Sequence, residues 1–155
     1  MRAVVLPSDL LNEMMAHSRE TYPDECCGFL IASDRSVEEV RKIDALERAR
    51  NEFEGERRHR FLIRPEELRD LERRVQESGR AVVGFYHSHP DHPARPSEFD
   101  REHAWPWYTY LVLSVTATDV REVGAFELDP DSSLFREVPL SATRDAAPPL
   151  SVVRR

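Results

Sequence analysis

Apolar residues recur with helical spacing in two stretches of the chain, and turn-forming residues bound each stretch. The first stretch follows Pro7 and should end at Tyr22, because a residue that precedes a proline disfavours the helical conformation. Its apolar positions are Leu10, Leu11, Met14 and Met15. The second stretch begins at Pro65, a favourable first-turn residue, and should end at Gly79. The pattern therefore predicts two main helices.

Short apolar runs bounded by turn formers predict the strands. These runs are residues 26–32, 37–45, 60–63, 81–86, 108–115, 121–128 and 134–138. We expect the second run to pair antiparallel with the first through a turn at 33–35. The order of elements predicts an α/β or α+β fold with a mixed sheet, two main helices and a short third helix. We expect one domain over residues 1–140 and a loose, flexible C-terminal tail over 141–155.

Length, composition and charge narrow the class of protein. The chain has 155 residues, of which 40% are hydrophobic and 33% are charged, as in an ordinary globular domain. A net charge of −7 argues against a broad nucleic-acid-binding surface. The first residues meet proline and aspartate too early for a signal peptide, and no apolar run approaches the ~20 residues of a membrane span. We therefore expect a cytoplasmic protein that binds neither nucleic acid nor membranes.

Two further features have more than one interpretation. Cys26 and Cys27 are adjacent, so a disulfide between them would be strained, and we expect two thiols packed on a strand. The segment 48–60 is dense in charges of both signs and poor in apolar residues. It is either a solvated loop or a substrate-facing loop beside an active site.

The run 81–86 is followed by four polar residues whose spacing is typical of a metal-centred site. His87 and His89 are two apart, so in an extended chain both imidazoles project to one face and suit a divalent metal such as zinc. Ser97 and Asp100 are three apart, which places them on one side of a helical turn. The same pair also matches a helix capping box. The two interpretations are compatible, because a capped turn would hold Asp100 still.

Two histidines and one carboxylate leave the fourth tetrahedral position open, as catalytic zinc sites do. Hydrolysis would also need a general base and a donor to the developing oxyanion. Ser97 is the obvious hydroxyl donor. Glu25, between the first helix and the run 26–32, is the best candidate for the base, although spacing alone does not exclude Asp24.

These residues resemble the JAMM (MPN-plus) metalloprotease family. Its pattern is an upstream glutamate followed by H-[ST]-H-P-x6-S-x2-D, and this chain has Glu25 followed by HSHPDHPARPSEFD. The segments ECCGFL, FLIRPEEL, GFYHSHP and YLVLSV also occur in the family's order, so the resemblance extends over residues 5–138. It implies a curved, mainly antiparallel sheet of the cytidine deaminase-like kind.

The resemblance also implies roles for the five residues. His87, His89 and Asp100 would bind Zn²⁺, Glu25 would act as general base and Ser97 would stabilise the oxyanion. The remaining histidines lie outside the pattern and are expected to be structural or on the surface: His17, His59, His92 and His103.

The family cleaves peptide or isopeptide bonds, typically after the C-terminal Gly-Gly of ubiquitin or a ubiquitin-like protein. The short chain resembles the compact bacterial members, some of which process sulfur-carrier proteins. A ubiquitin-like or sulfur-carrier tail is therefore the expected substrate. Iron or manganese could replace zinc, and a non-catalytic interaction module with a structural metal is the alternative. A zinc deaminase is excluded, because the chain lacks the P-C-x-x-C motif.

Overall fold

The computed structural model describes residues 2–33 and 39–143, together with the backbone of residues 150–151. The helices in this part of the chain are α1 (Ser8–Thr21), α2 (Pro65–Gln76) and α3 (Glu98–Glu102). The strands are β1 (Ala3–Pro7), β2 (Cys27–Ala32), β3 (Val40–Lys42), β4 (Ala45–Ala49), β5 (Ala81–Pro90), β6 (Thr109–Val115), β7 (Val120–Leu128), β8 (Phe135–Val138), β9 (Leu140–Thr143) and β10 (Leu150–Ser151).

A six-stranded sheet in the order β4-β2-β5-β6-β7-β8 forms the centre of the protein. Only β5 and β6 are parallel, and the other pairs are antiparallel. Helix α1 packs against one face through Leu11 and Met14, and α2 covers the other through Leu71 and Val75. The mixed α/β fold predicted from the sequence is confirmed. None of the described helices has the length and hydrophobicity that a membrane span requires.

A smaller sheet in the order β10-β9-β1-β3 corrects one prediction and contains a strand that was not predicted. The predicted single strand 37–45 is two strands: β3 pairs parallel with β1, and only β4 pairs antiparallel with β2. Residues 37–38 lie outside the described residues. Strand β1 was not predicted, although its Val4 and Leu6 are fully buried. Its partners β3 and β9 come from distant parts of the chain, so no local pattern indicates the pairing.

The tail predicted to be loose from Ser141 begins instead with a strand. Strand β9 pairs parallel with β1, and β10 pairs antiparallel with β9. The predicted boundary at residue 140 therefore falls inside a strand. Residues 144–149 and 152–155 lie outside the described residues.

A β-bulge in β5 decides which face the end of this strand presents. Leu30 is opposite Gly84, whereas Ile31 is opposite Val82, so Val83 is an extra residue. One extra residue exchanges the two faces of the strand beyond it. The carbonyl of Val83 accepts a 2.8 Å hydrogen bond from the buried guanidinium of Arg41, which satisfies it. The odd-numbered residues after the bulge, beginning with Phe85, are thereby turned toward the α2 face.

Candidate metal centre and active site

Strand β5 positions both predicted histidine ligands. The strand extends to Pro90, so His87 and His89 lie on the strand itself rather than after it. Their side chains share a face, as alternation predicts, and their Nε2 atoms are 3.1 Å apart. Both side chains are almost completely buried, with 2% and 8% exposed.

The third predicted ligand, Asp100, lies in the short helix α3. The Ser97 side chain accepts the Asp100 backbone N–H at 3.1 Å, and the Asp100 carboxylate accepts the Ser97 N–H at 2.8 Å. This reciprocal pair is the capping box that the spacing allowed. The Oδ2 atom of Asp100 lies 3.1 Å from Nε2 of His87 and 3.1 Å from Nε2 of His89. The cap therefore fixes the carboxylate against the two imidazoles.

The donor set fits a divalent cation. Each of the three residues offers one ligand atom, and these atoms lie within 4.8 Å of one another. Bonds of about 2.0–2.1 Å in a tetrahedral zinc site place two ligand atoms roughly 3.3 Å apart, close to the spacing found between the ligand atoms of His87, His89 and Asp100. Burial favours a raised pKa for Asp100, but His87 and His89 beside it outweigh burial and hold the pKa well below its usual range.

The surroundings fix the two imidazoles in place. Nδ1 of His89 lies 3.0 Å from the carbonyl oxygen of Pro93. A proton on that nitrogen would leave the lone pair of Nε2 facing the other ligand atoms, the usual arrangement of metal-binding histidines. The ring of His87 stacks on Phe61, with 4.6 Å between the ring centroids.

Glu25, the predicted base, is buried beside this cluster, with 3% of its surface exposed. Its Oε1 atom has no hydrogen-bond partner among the described residues. Burial, and then the negative charge of Asp100, raises the pKa of Glu25 to about 9. A cation held by the three ligands would favour the ionised form. Cys26, the residue after Glu25, is fixed to strand β5, because its backbone N–H donates to Ser88 Oγ at 2.8 Å.

Asn51 is a positioning residue that the sequence did not reveal. Its Nδ2 donates to the Glu25 carbonyl at 3.1 Å and to the Arg60 carbonyl at 3.0 Å. Its Oδ1 accepts the backbone N–H groups of Phe53 and Leu62. These bonds use both donors and both acceptor positions of the amide. They also explain why residues 60–63, predicted as a strand, are not one: the Asn51 amide takes the place of a strand ladder.

A largely aromatic cavity of about 720 Å³ opens beside the candidate metal ligands. His87 and Asp100 form part of its wall, so the ligand cluster is reached from this cavity. Its lining includes residues that follow Arg60 and residues of the segment 99–110. Its apolar rings are Phe61, Phe85, Phe99, Trp105, Tyr108 and Tyr110. Trp105 is 68% exposed at the rim.

The cysteines and the other histidines lie outside the ligand cluster. Cys26 and Cys27 are free and buried, as predicted, and burial raises the pKa of both thiols, that of Cys26 to about 12. His59, His92 and His103 are exposed. The buried His17 contacts Tyr86 on the α1 side of β5.

Comparisons with known proteins agree with this fold. Residues 7–127 match the family described as prokaryotic homologs of the JAB domain, and the chain belongs to that family. The resemblance to JAMM proteins stated from the motif is thereby confirmed. A desampylase from Haloferax volcanii is 34% identical over 114 residues, which cover 70% of this chain and 78% of the relative. A CysO-cysteine peptidase from Mycobacterium tuberculosis is 34% identical over 128 residues, which cover 81% and 82%.

Solved structures agree as well. A protein from Desulfitobacterium hafniense superposes with a TM-score of 0.77 at 26% identity, covering 92% of this chain and 94% of that one. A protein from Salinibacter ruber superposes with a TM-score of 0.67 at 34% identity, covering 100% and 99%.

Proposed function

We propose that this protein is a zinc-dependent peptidase that cleaves the peptide or isopeptide bond after the C-terminal Gly-Gly of a ubiquitin-like or sulfur-carrier protein. The convergence of His87, His89 and Asp100 beside the buried carboxyl of Glu25 carries the proposal. The names of two relatives, a desampylase and a CysO-cysteine peptidase, support the reaction class and the kind of substrate.

His87, His89 and Asp100 would hold the zinc ion through Nε2, Nε2 and Oδ2. Zinc, when bound, would polarise the attacking water and the scissile carbonyl. Glu25 would take the proton from the water and pass it to the leaving amine. Its burial and its unpartnered Oε1 suit a proton carrier, because the carboxyl makes no competing hydrogen bond there.

Ser97 would donate to the developing oxyanion. Its Oγ already accepts the Asp100 N–H, so the hydroxyl hydrogen remains available to a substrate oxygen. Ser97 is exposed beside a buried ligand, which is where a substrate carbonyl could reach it. Capping and oxyanion stabilisation therefore use different parts of the same hydroxyl group.

The experiment combines metal analysis with cleavage of a fusion that carries Gly-Gly before the scissile bond. Wild-type protein should hold one zinc per chain and cleave the fusion after Gly-Gly. Glu25→Gln should keep the metal and lose about 10²–10⁴ in rate, because it removes only the proton carrier. Asp24→Asn is the matched control, since it neutralises the adjacent acid in the same turn and should leave the rate within a few-fold of wild type.

Two outcomes would contradict the proposal. Full activity in Glu25→Gln would remove this residue as the base. Bound zinc without cleavage of any Gly-Gly fusion, whether to cysteine or through a lysine side chain, would favour the non-catalytic interaction module instead.

A further inference from the structure

Three arginines follow one another closely in the segment that leads into the wall of the cavity. Arg57, Arg58 and Arg60 are all exposed, and none forms a salt bridge with a carboxylate in the described part of the chain. The neighbouring arginines on either side are both paired: Arg50 with Glu52 at 3.8 Å and Arg64 with Glu66 at 3.7 Å.

The segment 57–60, which we term the basic strip, is held against several parts of the site. The Arg57 carbonyl accepts the Glu25 N–H at 2.7 Å, which fixes the strip to the candidate base. The ring of His59 lies 5.4 Å from that of His92, in the loop between the two candidate histidine ligands and Asp100. The guanidinium of Arg60 lies 4.7 Å from the ring centre of Phe99, the neighbour of Asp100. The backbone of the basic strip and the guanidinium of Arg60 are therefore held beside the candidate site.

The basic strip also continues directly into the wall of the aromatic cavity. Phe61, Leu62 and Ile63 follow Arg60 in the chain and line that cavity. A bound peptide that fills the cavity would therefore pass the arginines within a few residues of the bond to be cleaved. Guanidinium groups pair with carboxylates in a planar, bidentate manner, so they favour an acidic segment at this place.

We propose that the basic strip binds acidic residues that lie shortly before the Gly-Gly tail of the substrate protein. The inference rests on the proposed function, and it names the substrate as a carrier with an acidic segment before its tail. The carrier side is the side assigned, because the group after the scissile bond is either a single amino acid or a lysine that reaches the site through its side chain alone.

Three quenched fluorescent peptides test this inference on the zinc-loaded protein. They share one apolar residue, Gly-Gly and the leaving group, and differ only in three preceding residues, which are Asp, Ser or Lys. The Asp peptide should exceed the Lys peptide about 10-fold in kcat/KM at low salt, through KM rather than kcat. The difference should shrink toward unity in 0.5 M NaCl, because salt screens exposed charges.

Arg58→Glu is the diagnostic variant. Within the described part of the chain, Arg58 makes a hydrogen bond through its backbone N–H but not through its side chain. The side chain can therefore change without releasing the loop. The variant should abolish or reverse the preference for the Asp peptide. Lys42→Glu is the matched control: it makes the same change of charge at an exposed position on β3, in the other sheet, and should keep the preference.

The outcomes separate this inference from the proposed function. Equal kcat/KM for the three peptides, or an equal change in Lys42→Glu, would overturn the basic strip as a substrate-binding surface. A preference that appears only when the acidic residues follow the scissile bond would overturn its assignment to the carrier side. If wild-type protein cleaves none of the peptides, it is the peptidase proposal that fails.

Discussion

Strand β5 has a buried histidine site on each face, and the two sites differ in what surrounds the imidazole. On the α1 face, Nδ1 of His17 lies 2.7 Å from the Tyr86 hydroxyl. On the α2 face, His87 and His89 bring their Nε2 atoms to 3.1 Å from one carboxylate oxygen. The first arrangement satisfies one buried polar pair, whereas the second brings three metal-binding atoms together. A buried histidine is therefore not in itself evidence for a metal; the convergence of donor atoms is.

The bulge at Val83 decides which face of β5 each of these two sites occupies. Beyond it, Tyr86 belongs to the core beneath α1, while Phe85 packs with the core beneath α2. His87 follows the same alternation and stacks on Phe61 in that second core. Without the extra residue, the two histidines of the HxH motif would face α1. Arg41, which bonds the carbonyl of the bulge, thus supports the direction of the candidate ligands from the other end of the strand.

The largest effect is expected from removing one candidate ligand, and it should distinguish the histidine site on the α2 face from the one on the α1 face. His89→Ala should lose zinc and reduce cleavage by more than about 10⁴-fold, because both the ion and the chemistry it supplies would be lost. His17→Asn, which removes the other buried imidazole, should keep the zinc and most of the activity. Metal content per chain and the rate on a Gly-Gly fusion are the measurements. Zinc retained in His89→Ala would show that the converging atoms do not hold the metal.

Removal of the metal should destabilise the native protein through one site only. Zinc bound at 1,000 times its dissociation constant would add about 4.1 kcal/mol to the free energy of unfolding. Chelation with EDTA should therefore lower the midpoint of urea unfolding in wild type and in His17→Asn. It should leave the midpoint of His89→Ala unchanged. A chelator-sensitive midpoint in His89→Ala would place the stabilising ion elsewhere.

Ser97 tests whether the capping residue also has a chemical role. Ser97→Ala should lower kcat about 10²–10³-fold through loss of the oxyanion donor, and should cost about 1 kcal/mol of stability through loss of the cap. Ser97→Asp is an informative control, because aspartate can cap the helix but has no hydroxyl group to donate. Stability recovered without activity in that variant would separate the two roles. A rate near wild type in Ser97→Ala would leave only the cap.

The sequence predicted the parts of this protein whose signal is local. Helices α1 and α2 follow from periodic apolar residues between prolines and a glycine, and the central strands follow from continuous apolar runs. The five candidate site residues follow from the motif. Four of them have a fixed spacing within one segment, and Glu25 alone comes from an upstream part of the chain. The structure brings His87, His89 and Asp100 together as expected, and their roles remain predictions.

What the sequence did not reveal depends on long-range contacts. Strand β1 is short, and its register is set by partners more than 30 and more than 130 residues away. Asn51 is one polar residue in a charged loop, and its importance comes from four backbone groups brought to it by folding. The bulge at Val83 exists only relative to β2, so no property of β5 alone indicates it.

The smallest expected effect is the pH dependence that His17 gives to stability. Burial, and then the nearby positive charge of Arg48, lowers the pKa of His17 to about 4, while Glu20 opposes the shift and Tyr86 holds the ring. The unfolded chain therefore takes up a proton between about pH 6.5 and pH 4 that the folded chain does not, so stability falls as the pH falls through this window.

His17→Asn should remove this contribution, on the order of 1 kcal/mol, while the asparagine oxygen can still accept from the Tyr86 hydroxyl. The measurement is the midpoint of urea unfolding at pH 7 and at pH 5 for wild type and variant. EDTA is present throughout, so that metal binding does not contribute to the difference. Wild type should lose more stability than His17→Asn on acidification. Parallel losses in the two proteins would show that His17 is not the source of the acid sensitivity.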